Sequence, residues 1–432
     1  MPTKTNVLIV MSDQQSARAM SASGSPHVDT PHMDALAASG LRFDRCYCTT
    51  PVCGPARASL FYGRMPDALG TRYNQDPPPG DVPHMGHVFR EAGHQTRHFG
   101  AWDLPAPREN RLGDGFDFVR LPPGVPQRLG DETDGVVLEQ ACQFLKSPQA
   151  KAGPWLAAVA FLNPHDICWW VREKPVPHAN LHALPPLPPH FEIAPDEPEF
   201  VQISRRRQHY GPEIQWTLDW SSDQWRAYLY AYYRLTEQVD RCVGRLLAAL
   251  HEEGHAERTL VVFTCDHGEG MAAHRWVAKL MFWEEVMNVP LILSCPGQVP
   301  RGAIDRTHLV SSLDLLPTVC DYAGIAAPPG TGRSLRPIVQ TPPSPWRDSL
   351  VCELATDRND PTLRGRMVRT DRHKWMAFSR GARPEMLFDM DADPGETRNL
   401  ASETAMKGVR ADLRDRLVRW MAGTGDDFTL PQ

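Results

Sequence analysis

Short apolar runs alternate with longer amphipathic stretches along most of this chain of 432 residues. Strands that are buried on both faces read as continuous apolar runs, whereas covering helices repeat apolar residues every three to four positions. Four runs have the strand pattern, at residues 7–10, 155–161, 259–263 and 289–293. The alternation predicts an α/β fold with a large mixed, mostly parallel sheet flanked by helices.

Helix signals fill the segments between these runs. Thr30 is expected as an N-cap, because Pro31 at the first helical position follows it and Gly40 stands near the end. Further helices are expected at 55–63, 83–92, 132–147 and 222–252, and a further strand at 96–100.

The C-terminal part of the chain has a different pattern. Glycine- and proline-rich segments at 328–332 and 342–347 precede short strand-like runs and a final helix. The runs lie at 349–354, 366–370, 374–378 and 386–389, and the helix at 402–421. We therefore expect a catalytic α/β domain over 1–340 and an α+β subdomain over 341–432, with a small antiparallel sheet packed with a helix.

Composition disfavours several classes of function. The 46 Lys and Arg against 52 Asp and Glu give a net charge of -6, which argues against nucleic-acid binding over the whole surface but leaves room for a local basic pocket. No apolar run reaches the ~18 residues of a membrane helix, and the first run is too short for a signal peptide. The 10 cysteines contain no C-x-x-C pair and are expected to be free thiols. We expect a cytoplasmic protein with no membrane or nucleic-acid partner, and the oligomeric state stays open.

Two of the apolar runs are followed by an acidic residue and a second potential metal ligand. Asp13 and Gln14 follow one run, and Asp266 and His267 follow another. Ligands of open α/β sheets bind outside the carboxyl ends of the strands, where these four side chains would meet. Oxygen ligands suit Ca²⁺ or Mg²⁺, and an imidazole nitrogen shifts the preference toward Mn²⁺. An Asp after a strand is also a common turn or cap residue, so that structural interpretation stays open.

Cys53 stands just before a predicted helix that Pro55 would start. A helix N-terminus favours negative charge, and Arg57 lies within side-chain reach of the same end. A nucleophile and a fixed cation in this position suit the binding of an oxyanion. The alternative is a buried structural cysteine, which we assume for the other nine.

The segment Cys53-Gly-Pro-Ala-Arg57 resembles the modification signature of the formylglycine-dependent sulfatase family, part of the alkaline phosphatase-like superfamily. In that family the cysteine is oxidised to formylglycine. Four further segments resemble family motifs in the same order along the chain, at 6–14, 30–37, 263–285 and 387–400. Together they identify the chain as a member of this family, which implies the fold described above.

The resemblance implies a site built around one divalent cation. Asp13, Gln14, Asp266 and His267 would hold the ion, for which Ca²⁺ is preferred over Mn²⁺ or Mg²⁺. Cys53, as formylglycine hydrate, would be both a metal ligand and the nucleophile, because the metal lowers the pKa of the attacking oxygen. A formylglycine-generating enzyme would then be a necessary partner.

Further roles come from the same resemblance. Arg57 would hold the nucleophile and its developing charge, and Lys279, one of only seven lysines, would contact the transferred group. His165 would act as a general acid or as a hydrogen-bond donor to the substrate. Asn74 and His274 are further candidates for substrate contact, although His274 is also interpreted as a local structural donor.

One segment departs from the family pattern. Many family sulfatases carry Gly-Lys-Trp-His where residues 100–103 of this chain read Gly-Ala-Trp-Asp. An alanine and an acid thus replace the lysine and histidine that would grip the sulfate. We expect either compensation by Arg97, His98 or Arg108, or a different substrate.

Three functions are consistent with these patterns. The first is the hydrolysis of a sulfate ester of a saccharide or another small molecule. The second is the hydrolysis of phosphonate monoesters or phosphodiesters, because related enzymes with the same nucleophile also lack the lysine and histidine. The third is anion binding by a catalytically weak family member. The leaving group (saccharide, aryl, alkyl or choline) is not determined, and Trp169, Trp170, Trp216 and Trp220 are candidates for its pocket or for the core.

Overall fold

A large mixed sheet forms the centre of the fold. The structure is a computed structural model that describes residues 5–109, 111–125, 129–172, 183–206, 217–340 and 344–431. Its strands are β1 (Asn6–Asp13), β2 (Leu41–Phe43), β3 (Cys46–Tyr47), β4 (Gln95–Gly100), β5 (Asp117–Val119), β6 (Trp155–Pro164), β7 (Thr259–Cys265), β8 (Leu291–Ser294), β9 (Ala303–Asp305), β10 (Val310–Ser311), β11 (Ser349–Ala355), β12 (Arg364–Thr370), β13 (His373–Phe378) and β14 (Glu385–Asp389).

Helices connect and cover these strands. The α-helices are α1 (Pro31–Ser39), α2 (Cys53–Tyr62), α3 (Pro66–Leu69), α4 (Met85–Glu91), α5 (Gly130–Lys146), α6 (Pro148–Ala152), α7 (Ile167–Arg172), α8 (Glu199–Arg206), α9 (Ser222–Glu252), α10 (Glu284–Met287), α11 (Leu315–Ala323), α12 (Arg336–Gln340) and α13 (Lys407–Thr424). Short 3₁₀ helices lie at Ser21–Ser23, Ala256–Arg258, Ala273–Arg275, Ser312–Asp314 and Thr404–Met406.

Eight of the described strands form the main sheet, in the spatial order β5-β4-β6-β1-β7-β8-β2-β9. The strands from β5 to β7 all run parallel. Strand β8 is antiparallel to both of its neighbours, so β2 and β9 return to the original direction. This arrangement confirms the predicted large mixed, mostly parallel sheet.

Strand β1 lies in the middle of this sheet and is buried along its whole length. Leu8 and Val10 belong to the core on the side of α5 and α9. Ile9 and Met11 belong to the core on the side of α2 and α11. Since successive side chains of a strand point to opposite faces, a strand covered by helices on both sides needs an apolar residue at nearly every position. The continuous apolar run in the sequence has this cause.

The C-terminal strands form a separate four-stranded antiparallel sheet in the order β11-β12-β13-β14. On one face, Trp375 packs with Leu413 and Leu417 of α13. On the other face, Met376 and Phe388 join the core of the main domain. The predicted small sheet packed with a helix is thereby confirmed, whereas the division of the chain at residue 340 stays a prediction.

A buried ion-pair network joins this C-terminal sheet to the main domain. Lys374 of β13 has an exposure of 0%, and its Nζ lies 3.1 Å from Glu284 Oε2 and 2.9 Å from Glu396 Oε1. The Tyr47 hydroxyl donates to Glu284 Oε1 at 2.6 Å. Burial alone would raise the pKa of Glu284, but the charges of Lys374 and Arg369 outweigh it and lower that pKa to about 2. Glu284 is therefore ionised at neutral pH, and Lys374 compensates its charge.

A few elements differ in detail from the sequence-based expectations. Thr30 occupies the N-cap position of α1, but its hydroxyl accepts from the amide of Ser21 rather than from the first turn of the helix. The strand expected at 289–293 begins only after Pro290, which lacks the amide hydrogen that a ladder needs. The helix expected at 402–421 starts as a 3₁₀ turn and continues as α13 to Thr424.

The segments 173–182 and 207–216 lie outside the described residues. Among the helices of the described ranges, none has the length and apolar character that spanning a bilayer requires.

The buried network gives a prediction for stability. Lys374→Met should destabilise the protein by about 3–5 kcal/mol, because it leaves Glu284 and Glu396 buried without their cation. The matched control is Lys151→Met, which removes an exposed lysine paired with Glu253 and should leave stability almost unchanged. Denaturant unfolding followed by circular dichroism measures both variants. Equal effects of the two substitutions would contradict the structural importance of the network.

Candidate active site

The candidate site lies at the carboxyl ends of neighbouring parallel strands. Asp13 is the last residue of β1, and Asp266 follows β7 directly. His165 comes directly after β6, on the other side of β1. Because these strands are adjacent and parallel, the residues that end them meet at one edge of the sheet.

Four of the predicted site residues form a compact donor cluster. Ligand atoms of Asp13, Cys53, Asp266 and His267 all lie within 4.8 Å of one another, and all four residues are buried. Cys53 Sγ lies 3.2 Å from His267 Nε2 and 3.9 Å from Asp13 Oδ1. The structure therefore brings together residues that are more than two hundred positions apart in the chain.

Helix α2 places Cys53 in this cluster. Val52 is its extended N-cap residue, Cys53 is its first residue, and every residue from Cys53 to Tyr62 is buried. The amide of Gly54 donates to Asn74 Oδ1 at 2.9 Å, which ties Asn74 to the start of the helix. The expected position of Cys53 at a helix N-terminus is confirmed.

The environment of the Cys53 thiol disfavours its ionisation. Burial and the charge of Asp13 raise the pKa of Cys53 well above its usual value, although Lys279 opposes them. Lys279 Nζ lies 2.7 Å from Cys53 Sγ. Since the thiolate is the reactive form of cysteine, an unmodified Cys53 is a poor nucleophile here.

Arg57 holds the two carboxylates of the cluster in a fixed orientation. Its guanidinium is fully buried and donates from Nη2 to Asp13 Oδ2 and from Nε to Asp266 Oδ2, each at 2.9 Å. Nη1 donates to the carbonyl oxygen of Ala101 at 2.6 Å. Because Arg57 binds one oxygen of each carboxylate, Asp13 Oδ1 is left facing Cys53.

Burial affects the two carboxylates of the cluster differently. Burial, followed by the charge of Asp266, raises the pKa of Asp13 well above its usual value. Burial also acts on Asp266, but its electrostatic interactions with His267, Arg57 and Lys279 outweigh burial and lower the pKa of that carboxyl. The ionised form of Asp266 is therefore stabilised, and the ionised form of Asp13 is not. A bound divalent cation would stabilise both carboxylates in their ionised form.

His267 is prepared to act as a ligand through Nε2. Its Nδ1 lies 2.8 Å from the carbonyl oxygen of Gly268, an acceptor that fixes the proton on Nδ1. The lone pair of Nε2 then faces the cluster. Burial lowers the pKa of His267 to about 4, so the ring is neutral at physiological pH. Two carboxylates and a neutral imidazole fit a divalent metal ion.

Gln14 lies next to the donor cluster. Its backbone has φ 67°, and its Oε1 accepts from Lys279 Nζ at 3.0 Å. Its Nε2 donates to a carboxylate oxygen of Glu269 and to Cys168 Sγ. Glu269 thus orients the amide so that its oxygen faces Lys279. The role of Gln14 as a metal ligand stays a prediction.

Sequence reasoning gave Glu269 no role. It is fully buried, burial raises its pKa, and it also accepts from the Tyr228 hydroxyl and the amide of Ala278. In the sequence, a role for Glu269 was indicated by its position two residues after His267, in the segment that also carries Asp266.

A cavity of about 330 Å³ opens above the donor cluster. Its described lining residues include two carboxylates and no Lys or Arg side chain. The cationic groups of Arg57 and Lys279 therefore lie below the surface of the cavity. The lining consists of Asp13, Cys53, Asn74, Gln75, Asp103, Leu104, Pro105, Leu162, His165 and Trp169.

Two candidate substrate residues, His165 and Asn74, line this cavity. His165 is half-buried, and desolvation, followed by the charge of Lys279, lowers its pKa well below the usual value. Its Nδ1 has no hydrogen-bond partner among the described residues. A neutral imidazole with an unpaired nitrogen is suited to hydrogen bonding with a ligand. It is less suited to act as a general acid, which must be protonated before the reaction.

His274 is not brought to this cavity. Its ring stacks on Trp283 at a centroid distance of 3.9 Å and lies 5.6 Å from the ring of His190. Burial lowers its pKa to about 4. The position agrees with its interpretation as a local structural residue, and offers no contact with a ligand above Cys53.

The expected compensation for the altered 100–103 segment is also not in place. Arg97 pairs with Asp117 at 3.1 Å, Arg108 donates to carbonyl oxygens of the chain, and His98 packs against Trp102 at 5.0 Å. None of these three side chains lines the cavity. Asp103 does line it, and its Oδ2 lies 3.5 Å from Arg57 Nε.

The candidate tryptophans divide between the cavity and the core. Trp169 lines the cavity, whereas Trp170 and Trp220 pack in a separate hydrophobic cluster. Trp216 lies outside the described residues.

Comparison with known proteins places this geometry in a family. The family profile described as Sulfatase matches residues 5–325, and the profile described as N-sulphoglucosamine sulphohydrolase, C-terminal, matches residues 272–422. The chain belongs to the sulfatase family. The first match contains every residue of the donor cluster, and the second contains most of the C-terminal sheet and α13.

The sulfatases that resemble this chain cover it almost completely. It is 31% identical to the Delta 4,5-hexuronate-2-O-sulfatase of Bacteroides thetaiotaomicron, over 98% of this chain and 90% of that protein. A solved structure of a 2-O GAG sulfatase aligns with a TM-score of 0.86 and 30% identity, over 98% of this chain and 93% of that one. These matches show that the protein is an enzyme of the sulfatase class.

The fold is shared with a second class of hydrolase. The phosphonate monoester hydrolase of Agrobacterium radiobacter aligns with a TM-score of 0.81 and 24% identity, over 98% of this chain and 96% of that one. At this identity the match shows the common alkaline phosphatase-like fold, and says nothing of the substrate.

The donor cluster gives a prediction for metal binding. The protein should bind one divalent ion per chain, and Asp13→Asn should lose it, because the remaining charge no longer favours a cation. Asp427→Asn is the matched control, since Asp427 belongs to an acidic group that pairs with Arg364 and Arg72. Elemental analysis after removal of free metal measures the stoichiometry.

The same cluster predicts the pH dependence. Asp13 must lose its proton to bind a cation and its pKa is raised, so occupancy should fall with decreasing pH and should begin to fall above the usual titration range of an Asp carboxyl. Full occupancy of Asp13→Asn would contradict the assignment of this carboxylate as a ligand.

Proposed function

We propose that this sulfatase hydrolyses a sulfate ester of a saccharide, with Cys53 in its formylglycine form and one divalent cation in the donor cluster. The observation that carries the proposal is the position of Cys53 Sγ, which lies 2.7 Å from Lys279 Nζ and 3.2 Å from His267 Nε2. The sulfur of the unmodified residue stands where the reactive oxygen of the modified residue would be. One nucleophilic position is thus surrounded by a cation and by metal ligands.

The ligands of the cation would be Asp13, Gln14, Asp266, His267 and residue 53. Their mainly oxygen donors favour Ca²⁺, and the imidazole of His267 leaves Mn²⁺ or Mg²⁺ as alternatives. When bound, such a cation polarises the ester and lowers the pKa of the attacking hydroxyl group. Arg57 would keep the two carboxylates in position by binding Oδ2 of Asp13 and Oδ2 of Asp266.

As the hydrated aldehyde, residue 53 would supply one hydroxyl group that attacks the sulfur and displaces the alcohol of the ester. Its second hydroxyl group would then lose its proton and reform the aldehyde as the sulfate leaves. Lys279 neutralises charge on the transferred group beside residue 53. His165 and Asn74, on the wall of the cavity, donate hydrogen bonds to the ester and its leaving group. Each of these roles uses a side chain that already lies at the cavity or directly beneath it.

Burial of the modified residue determines when the modifying enzyme acts. The segment from Cys53 to Tyr62 is buried in the folded protein, so a formylglycine-generating enzyme must bind it before the chain folds. None of the 10 cysteines, including Cys53, forms a disulfide in the structure. We therefore propose that the chain is made where thiols stay reduced.

The saccharide assignment rests on the relatives and on the cavity. A protein with 31% identity is named a Delta 4,5-hexuronate-2-O-sulfatase. The cavity of about 330 Å³ offers the amides of Asn74 and Gln75 and the ring of Trp169, and this volume lies near the lower end of the ~300–1,000 Å³ typical of ligand pockets. Amide and aromatic groups suit a polar ring with apolar faces, such as a monosaccharide unit.

A second candidate function is phosphonate monoester or phosphodiester hydrolysis. The observation in its favour is the altered 100–103 segment, in which Asp103 lines the cavity and replaces the histidine that many family sulfatases carry there. The same nucleophile and cation would serve this reaction, so only the substrate preference distinguishes the two functions.

The modification gives a direct prediction. Peptide mass spectrometry of protein made in a host with the modifying enzyme should show residue 53 with its sulfur and two hydrogens replaced by one oxygen. Cys53→Ala should lower turnover by more than about 10³-fold, because no nucleophile remains. It should keep the metal, since Asp13, Asp266 and His267 are unchanged.

Cys242→Ala is the control, because Cys242 is a half-exposed cysteine outside the site. It should retain full activity. Activity in Cys53→Ala, or an unmodified thiol in active protein, would show that the nucleophile is assigned wrongly.

Substrate preference gives a further prediction. With the metal-loaded, modified enzyme, kcat/KM should be higher for an aryl sulfate than for the matching aryl phosphonate monoester. Among sulfated compounds, an unsaturated hexuronate 2-O-sulfate should be turned over faster than choline sulfate or N-acetylglucosamine 6-O-sulfate. Release of sulfate, measured by ion chromatography, is the readout. Faster phosphonate turnover would replace the first function by the second.

A further inference from the structure

A second and larger cavity lies in the C-terminal part of the protein, between the start of β14 and the first turns of α13. Its volume is about 630 Å³. We call it the basic groove, and its lining shares no residue with the cavity above Cys53. It is lined by Asp196, Arg383, Pro384, Glu385, Asn399, Ala401, Ser402, Lys407, Arg410, Ala411 and Arg414.

The basic groove has a positive charge excess in a negatively charged protein. Four of its lining residues are cationic and two are acidic, whereas the whole chain has a net charge of -6. Glu385 is shared by two guanidinium groups, at 3.5 Å from Arg410 and 3.2 Å from Arg414. Lys407 is exposed and forms no ion pair with another described residue. The internal carboxylates therefore do not neutralise the groove.

The placement of these cations is not explained by the stability of α13. Lys407, Arg410 and Arg414 follow the spacing that puts side chains on one face of a helix. They begin at the first residue of α13, whose first turn contains no acidic residue, and the nearest acid at this end is Glu403 before the preceding 3₁₀ turn. The helix dipole favours the opposite order, with acids at the start and cations at the end. A ligand with negative charge would offset this unfavourable arrangement.

The chemistry of the groove fits an acidic sugar chain. Arginine forks bind carboxylate and sulfate groups through paired hydrogen bonds. Asp196 and Glu385 supply acceptors for sugar hydroxyl groups. Pro384, Ala401 and Ala411 provide apolar contact area for ring faces. The groove thus combines cationic side chains, carboxylates and an apolar surface. This combination suits a ligand that has acidic groups, hydroxyl groups and apolar ring faces.

Nucleic acid and membrane surfaces fit the groove less well. No aromatic residue is among the described lining residues of the groove to stack on a base. A concave cavity does not match a lipid surface.

We propose that the basic groove is a second, non-catalytic binding site for anionic oligosaccharides that carry carboxylate or sulfate groups. The saccharide nature of this ligand rests on the proposed function, whereas its negative charge rests on the groove itself. Binding in the groove would hold a long sugar chain on the enzyme while sulfate esters are hydrolysed elsewhere.

The test is a binding measurement with a defined probe. A fluorescent heparin tetrasaccharide is titrated into full-length, metal-loaded Cys53→Ala protein, which cannot hydrolyse it. Adding Arg383→Glu and Lys407→Glu should raise the Kd at least about 10-fold and reduce its dependence on salt. The neutral pair Arg383→Gln and Lys407→Gln, which removes charge without adding acids, should act in the same direction.

Two controls separate the groove from general charge effects. Arg419→Glu makes the same charge change on an exposed residue of α13 that does not line the groove, and should change the Kd by less than about 2-fold. Turnover of an aryl sulfate by otherwise unchanged enzyme should be the same with and without the groove substitutions.

The outcomes distinguish this proposal from the proposed function. Unchanged tetrasaccharide affinity in the groove variants, or an equal loss in Arg419→Glu, would overturn the groove site while sulfate hydrolysis stands. Equal binding of an uncharged tetrasaccharide would also overturn it. Tighter, groove-dependent binding of a single-stranded oligonucleotide would assign the groove to nucleic acid instead. Groove-dependent tetrasaccharide binding by an enzyme that releases no sulfate would keep the groove and refute the proposed function.

Discussion

The site depends on one buried guanidinium. Arg57 has an exposure of 0% and donates to both Asp13 and Asp266, which end adjacent strands of the sheet. An arginine without these partners would be too costly to bury, and the two carboxylates would repel each other without Arg57. The contact therefore fixes α2 against the sheet, and with it the position of Cys53.

The order of the strands explains why one edge of the sheet collects so many polar residues. Strands β4, β6, β1 and β7 are consecutive and parallel, so residues 101–103, His165, Asp13 and Asp266 all emerge at the same end. Helices cover both faces of these strands and exclude water from their apolar runs. Polar groups are therefore confined to the strand ends, where burial shifts their pKa values and a cation is needed to balance their charge.

The strongly periodic parts of the fold were predictable from the sequence, because burial on both faces or on one helical face imposes a residue pattern. The donor cluster was predictable because Asp13 and Asp266 follow such strands directly. His274 was harder to place. Six non-glycine residues between Met271 and Leu280 have positive φ, so neither helical nor strand spacing predicts which way a side chain in this segment points. Spacing along the chain also does not predict whether Arg97 or Arg108 replaces the missing lysine and histidine of the 100–103 segment. The direction of each side chain depends on its partners in nearby loops.

The sequence by itself determined the family resemblance, the strand ends that carry acids, and the position of Cys53 at the start of a helix. These properties are local, because each depends on residue types within a few positions of one another. The tertiary structure decided which oxygen of each carboxylate Arg57 binds, that Glu269 orients Gln14, and that Asp103 lines the cavity. It also assembled the basic groove from Asp196, β14 and α13. Such contacts join distant segments, and their geometry follows from packing and charge balance rather than from spacing along the chain.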